Sequence, residues 1–196
     1  GALYSTPCSA NFYRDASMAV LGIGLKDCQD IAAGKQGQTS STVGDPYVST
    51  GATEAVDCIA GKFSLNGDGA CAVVPAGHVG TVTDPASVGF ETATANVPGA
   101  LYATPCGANF YRDAAASAAL TNCADIAAGK QGQVLGTGSL YASSGAEFQV
   151  DCIAGKFSLN GDGACAVVPA GHVGRVFHDA TATANQAGAL YSTPCS

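Results

Sequence analysis

The sequence predicts a mainly β protein, an elongated tandem array of small disulfide-stapled hairpin units with short helices allowed in the connections. Three observations predict it. Residues 57–80, DCIAGKFSLNGDGACAVVPAGHVG, recur at 151–174 without one substitution, and 24 identical residues at that separation mark a tandem duplication. Nine cysteines stand beside 26 glycines in a chain of 196 residues without tryptophan. Apolar burial is worth ~25 cal/mol per Å², and alanine and glycine offer little area, so such a fold needs covalent staples. Finally, the aromatic and apolar start of FSLNGDGAC runs into Asn66-Gly67 and Asp68-Gly69, a hairpin-turn signal.

The first nine residues, GALYSTPCS (1–9), are also the last nine (188–196), and a variant, GALYATPCG, occupies 99–107. The chain therefore reads as repeat copy 1 (1–98), repeat copy 2 (99–187) and the start of a third copy (188–196). It opens mid-pattern without an initiating Met, as expected of a segment of a longer array or a processed product. In order, copy 1 runs through ALYSTPC, SANFYRDA, an Ala- and Gly-rich run to Cys28, QDIAAGKQGQ and a Ser/Thr/Gly-rich connection to Val56. The duplicated block and TVTDPASVGFETATANVP complete it. Copy 2 shortens only the connections, at 114–120, 134–150 and 175–187, as expected of exposed loops. Residues 113–120, DAAASAAL, can form a short helix capped by Asp113 or stay irregular.

Each copy is itself two half-copies. Cys8-Ser-Ala-Asn-Phe-Tyr aligns with Cys58-Ile-Ala-Gly-Lys-Phe, and Cys28 to Gly37 aligns with Cys71 to Gly80. The half-copies span about 1–50, 51–98, 99–145 and 146–187. Halved again, they give about eight units of roughly 23 residues, each touching mainly its neighbours.

The Cys-x-Ala-Asn-Phe-Tyr and Cys…Pro-Ala-Gly forms resemble the ephrin-receptor-like cysteine-rich repeats. They are similar above all to the cysteine-rich surface (immobilisation) antigens of ciliates and to related protist surface and flagellar-hair (mastigoneme) proteins. The resemblance reaches every half-copy. Where that pattern has Cys-x-x-Cys, this chain keeps one cysteine. Ile31, Val74, Ile126 and Val168 stand three residues after Cys28, Cys71, Cys123 and Cys165. Ser5, Ala55, Ala103, Gln149 and Ser192 stand three residues before Cys8, Cys58, Cys106, Cys152 and Cys195. Against the family pattern, every second unit has lost both cysteines, and cysteines lost in pairs imply bonding in pairs. The resemblance thus implies Cys8–Cys28, Cys58–Cys71, Cys106–Cys123 and Cys152–Cys165, with Cys195 left for a partner outside the segment. The other phase, Cys28–Cys58 and Cys71–Cys106 onward, would orphan Cys8 instead, and sequence leaves both open. Each short loop of the first phase stabilises by roughly 3 kcal/mol in the chain-entropy model. Ile or Val at a vacated site then packs against its neighbours.

A net charge of −7 with eight scattered Lys and Arg leaves no electrostatic basis for nucleic acid or anionic lipid. No apolar run reaches the ~20 residues of a bilayer span, so this segment is not expected to insert in a membrane. Asn66-Gly67-Asp68-Gly69 and its twin at 160–163 offer one carboxylate against the roughly six oxygens of a calcium site, which favours a hairpin tip. His78, His172 and His178 lack the ligand spacing of a zinc site. No nucleophile, base and orienting group are in evidence, so neither an enzyme nor a cofactor is expected. The group Phe12-Tyr13-Arg14-Asp15 recurs at 110–113. It reads as core packing with an exposed Arg-Asp pair, the other reading being sugar or peptide stacking. Thr39, Ser40, Ser41, Thr42, Ser49, Thr50, Thr81, Thr83, Thr92 and Thr94 lie in connections containing Pro46 and Pro85. That composition suits either O-linked glycan or a plain linker. No Asn-x-Ser/Thr occurs.

Together these features lead to the expectation of a structural repeat protein of an extracellular filament or cell-surface coat, self-associating and non-catalytic. The alternative is a receptor or adhesion stalk that spaces a ligand-binding domain outside this segment.

Overall fold

The computed structural model describes residues 6–15, 27–87, 93–135, 140–177 and 183–195. Among them the chain is mainly β, a tandem array of small disulfide-stapled hairpins. Its strands are β1 (Phe12–Tyr13), β2 (Gln29–Asp30), β3 (Lys35–Gln38), β4 (Glu54–Asp57), β5 (Lys62–Phe63), β6 (Ala72–Val73), β7 (His78–Thr81) and β8 (Tyr102–Pro105). The second half holds β9 (Phe110–Tyr111), α1 (Ala114–Ala118), β10 (Ala124–Asp125), β11 (Lys130–Gln133), β12 (Phe148–Asp151), β13 (Lys156–Phe157), β14 (Ala166–Val167), β15 (His172–Arg175) and β16 (Tyr191–Pro194). Among the described residues every strand pairs with its neighbour in sequence, giving eight two-stranded sheets.

Two kinds of hairpin alternate. Those with two-residue strands, β1–β2, β5–β6, β9–β10 and β13–β14, carry the disulfides Cys8–Cys28, Cys58–Cys71, Cys106–Cys123 and Cys152–Cys165. These pairs are those of the first phase, and no bond of the second phase is present. The other four hairpins have four-residue strands, such as β3–β4 in the register Lys35↔Asp57 to Gln38↔Glu54. An isolated two-residue ladder is too short to persist in water, so the covalent bond stands where the ladder is shortest.

The four-residue hairpins replace the missing staple by close packing. Ile31, Val74 and Ile126 are buried, as are Ala52, Ala100, Ala146 and Ala189. Between them the strand carries a glycine. A Cβ on Gly132 would lie 2.8 Å from both the Ala146 Cβ and the Ile126 Cδ1, and one on Gly80 would lie 2.9 Å from the Ala100 Cβ. Gly37 is held in the same way by Ala52 and Ile31, and Gly174 by Val168 and Ala189. A vacated cysteine site is thus filled by an aliphatic side chain seated over a glycine and an alanine.

The connection between β5 and β6 is longer than the tight turn that Asn66-Gly67 suggests. It spans residues 64–71, leaves Leu65 59% exposed, and holds Gly67 and Gly69 at φ 78° and 88°. Its shape is set by what it leans on. A Cβ on Gly67 would sit 1.9 Å from the carbonyl oxygen of Ile31, and the Gly69 N–H donates to Asn11 Oδ1 at 2.9 Å. The twin loop does the same, with Gly161 against Ile126 and Gly163 bonded to Asn109.

The helix α1 is shorter than 113–120. Asp113 caps it by accepting from the Ala116 N–H at 2.6 Å, and Leu120, at φ 58°, lies beyond its end. No helix among the described residues is long and apolar enough to cross a membrane.

The chain forms two compact units. One comprises Gly1–Val74, Gly80–Phe90 and Asn96–Ala103; the other comprises Pro75–Val79, Glu91–Ala95 and Thr104–Ser196.

Candidate functional site

The feature that repeats with the least variation is the contact one stapled hairpin makes with the strands around it. Within the first unit, Tyr13 bridges Ala52 and Phe63 bridges Ala100 in parallel; within the second, Tyr111 bridges Ala146 and Phe157 bridges Ala189. Each aromatic is followed by an N–H that donates to the same alanine's carbonyl at 3.0 Å: Arg14 to Ala52, Ser64 to Ala100, Arg112 to Ala146 and Ser158 to Ala189. The aromatic strand is short because its next backbone donor is already committed to this bridge.

A second set of bonds runs through the Ala-Gly turns. Cys58, Cys106, Cys152 and Cys195 donate their N–H groups to the carbonyls of Gly34, Gly77, Gly129 and Gly171 at 2.7–2.8 Å. The carbonyls of Cys8, Cys58, Cys106 and Cys152 accept from Gly51, Gly99, Gly145 and Gly188 at 2.7–2.9 Å. The turn glycines themselves donate onward, Gly34 to Ser64, Gly77 to Arg112 and Gly129 to Ser158, each at 2.7 Å. A Cβ on Gly34, Gly77 or Gly129 would fall within 2.3–2.4 Å of the carbonyl oxygen of Gly99, Gly145 or Gly188. These positions are at positive φ as well, so glycine is required on both counts.

Within the second unit the joint has one addition. Arg112 is fully buried, and its guanidinium donates to the carbonyls of Thr121 (2.7 Å), His78 (2.8 Å) and Pro75 (3.0 Å). Burial draws its pKa below the ordinary value, yet a guanidinium keeps its proton. It therefore serves as a charged plug over the turn 75–78, meeting the His78 carbonyl and adding a second donor to that of Pro75, which also accepts from the His78 N–H at 3.3 Å. Its twin Arg14 is exposed. The sequence suggests an exposed Arg-Asp pair at both places, Arg14 with Asp15 and Arg112 with Asp113. That reading fails for Arg112, because Asp113 is committed to capping α1.

The residues singled out for chemistry are placed as follows. Asp68 takes a hydrogen bond from Asn66 Nδ2 at 2.6 Å, and Asp162 is bonded in the same way by Asn160. Among the described residues, no three His, Cys, Asp or Glu side chains converge into a metal-ligand set. His78 and His172 face their own turns through Nδ1, toward the carbonyls of Ala76 and Ala170; His178 and Thr92 lie outside the described residues. The aromatics Phe12, Tyr13, Phe110 and Tyr111 are half-buried. Twin cavities of ≈ 120 and ≈ 260 Å³ open beside Gln36, Asp57, Lys62 and Cys71, and beside Gln131, Asp151, Lys156 and Cys165.

Of the hydroxyls considered for glycan, Thr39, Ser41, Thr42, Ser49, Thr50 and Thr83 are exposed, whereas Ser40 and Thr94 are half-buried. Thr81 is a correction: it is 8% exposed, and its hydroxyl donates to the Thr83 carbonyl at 3.0 Å. It ends β7 at the position that Gln38, Gln133 and Arg175 occupy in the other long hairpins, all of them buried. The strand therefore reaches one residue into what reads as linker.

Cys195 is exposed and carries no disulfide. Four disulfides in so small a chain are the mark of an oxidising, extracellular or secreted setting. The sequence matches no protein-family model and no curated protein.

Proposed function

We propose that the chain is a structural repeat segment of an extracellular filament or cell-surface coat, with no catalytic role. The observation that carries this reading is the fourfold recurrence of one joint, the aromatic-to-alanine bridge with its glycine and cysteine backbone bonds. A joint made of backbone and small residues can be repeated without new chemistry, and near-identical copies present near-identical surfaces at regular spacing. Regular surfaces suit head-to-tail or helical assembly. The exposed Thr39, Ser41, Thr42, Ser49, Thr50 and Thr83 are the acceptors for O-linked glycan in this reading, on the outward connections.

Electron microscopy of the native material tests it: filaments with an axial repeat set by the copies are expected. Monodisperse particles that never associate would sink the proposal. Fragmentation mass spectrometry that leaves labile glycans attached locates any sugar on those hydroxyls.

A further inference from the structure

We propose that Asn66 and Asn160 are latent sites of spontaneous deamidation, each held shut by the serine two residues before it. The chemistry follows from the dipeptide. In Asn-Gly the glycine has no side chain to shield its own nitrogen, so that nitrogen can attack the preceding carboxamide. The Gly67 nitrogen bonds to Cγ of Asn66, the Cγ–Nδ2 bond breaks, and Nδ2 leaves as ammonia with the proton that Gly67 gives up. Water then opens the five-membered imide at either carbonyl. One opening leaves aspartate at position 66; the other leaves isoaspartate, whose main chain is longer by a methylene. The sum is amide plus water to acid plus ammonia, so the reaction needs no oxidant and no second protein.

The structure arranges these atoms in the same way in both copies. Asn66 and Asn160 are exposed, so water reaches both carboxamides, whereas the glycine after each is buried. The Gly67 N–H donates to Ser64 Oγ at 3.0 Å, and the Gly161 N–H donates to Ser158 Oγ at 3.0 Å. Both serines are 6% exposed and fixed through their own backbones. The Ser64 N–H donates to the Ala100 carbonyl at 3.0 Å, and its carbonyl accepts from the Gly34 N–H at 2.7 Å; Ser158 is held by Ala189 and Gly129 at the same distances. The carboxamide is tied as well, Asn66 Nδ2 donating to Asp68 Oδ2 at 2.6 Å and Asn160 to Asp162 in the same way.

These contacts oppose both steps. An imide nitrogen carries no hydrogen, so ring closure breaks the bond to Ser64 and leaves a buried hydroxyl oxygen without its donor. The longer chain of isoaspartate has no room either. A Cβ on Gly67 would already stand 1.9 Å from the Ile31 carbonyl oxygen, and one on Gly161 2.0 Å from that of Ile126. The native loop thus keeps a reactive dipeptide in water without letting it react. An event that lifts residues 64–67 off Ile31 releases the reaction, and the product fixes the lifted state. A new carboxylate then faces Asp68 where a carboxamide had donated to it, so repulsion replaces a hydrogen bond.

The test follows the disulfide-intact chain at mildly alkaline pH by peptide mapping and mass spectrometry. Trypsin releases Phe63–Arg112 and Phe157–Arg175, so the two sites are read separately despite their identical surroundings in sequence. Both asparagines are expected to convert roughly tenfold or more slowly than in the reduced, alkylated and unfolded chain. Ser64→Ala is expected to speed conversion at Asn66 by about tenfold while Asn160 in the same molecule keeps the wild-type rate, and Ser158→Ala to do the reverse. The untouched twin is the internal clock for global unfolding. A native chain that deamidates as fast as the unfolded one overturns the proposal. So does Ser64→Ala with the Asn66 rate unchanged, or with both sites raised alike.

Discussion

The carbonyl of His78 accepts a hydrogen bond from Arg112 Nη1 at 2.8 Å across 34 residues of sequence, with the guanidinium wholly buried. Removing the side chain takes the guanidinium donors from the carbonyls of His78 and Thr121 and leaves that of Pro75 with the His78 N–H alone. Arg112→Ala is therefore expected to lower stability by about 3 kcal/mol. In the exposed twin, Arg14→Ala changes the monomer by no more than ~0.5 kcal/mol. Urea denaturation of the two variants reads the contrast, and equal effects would refute the plug role.

The seat of each missing staple is a glycine under an alanine. Gly132→Ala is expected to cost about 1–3 kcal/mol, because its Cβ meets Ala146 and Ile126 at 2.8 Å. Ala146→Gly introduced alongside should recover part of the loss by vacating the contested space. A double-mutant cycle measures the coupling, and strict additivity would show that the two residues do not share that space.

Position 149 faces the vacated site beside it: Gln149 Oε1 accepts from the Ala127 N–H at 2.9 Å, next to buried Ile126. The double substitution Ile126→Cys and Gln149→Cys is expected to form a fifth disulfide on mild oxidation, restoring the doubled pattern in one of the long hairpins. Intact mass under non-reducing conditions, before and after alkylation, decides it. A pair that stays reduced would show that the two positions are not partners.

Asn109 does two things at once, tolerating φ 71° and accepting the Gly163 N–H at 2.8 Å. Asn109→Ala loses both and is expected to cost about 1–2 kcal/mol, whereas Asn109→Gly loses only the bond and costs less. Hydrogen exchange at the Gly163 amide should accelerate in both variants. An unchanged amide would assign its protection to burial alone.

How much of this was legible in the chain varies with the kind of signal. The duplication and the alternation of units stand in the letters themselves, because identical residues fold identically in identical surroundings. The pairing of Cys58 with Cys71 is what the family resemblance implies, with a second phase left open, and the structure shows the first phase with Ile and Val at the vacated sites. The burial of Arg112 was illegible, since Phe12-Tyr13-Arg14-Asp15 and its twin read alike. What buries Arg112 is the turn 75–78 and the carbonyl of Thr121, neighbours that the four-residue group itself does not announce. The hairpin around Asn66-Gly67-Asp68-Gly69 is legible, but the length of its connection, 64–71, is not. Here Gly67 is glycine for the sake of the Ile31 carbonyl, a neighbour more than thirty residues back. Thr81 was missed because a strand end and a linker share the same small polar residues.

The alternation of stapled and unstapled hairpins has a mechanical consequence. A chain pulled from its ends transmits tension through the Cys8–Cys28 bond, bypassing the residues between them, and next loads the unbonded stretch between Cys28 and Cys58. That stretch is held by β2 and the β3–β4 ladder without a covalent bond, and fully extended it would span at most roughly 100 Å. The next covalent bypass, Cys58–Cys71, then takes the load. Extension thus proceeds in discrete steps with a fixed stop after each, a yielding element and a rigid one in series.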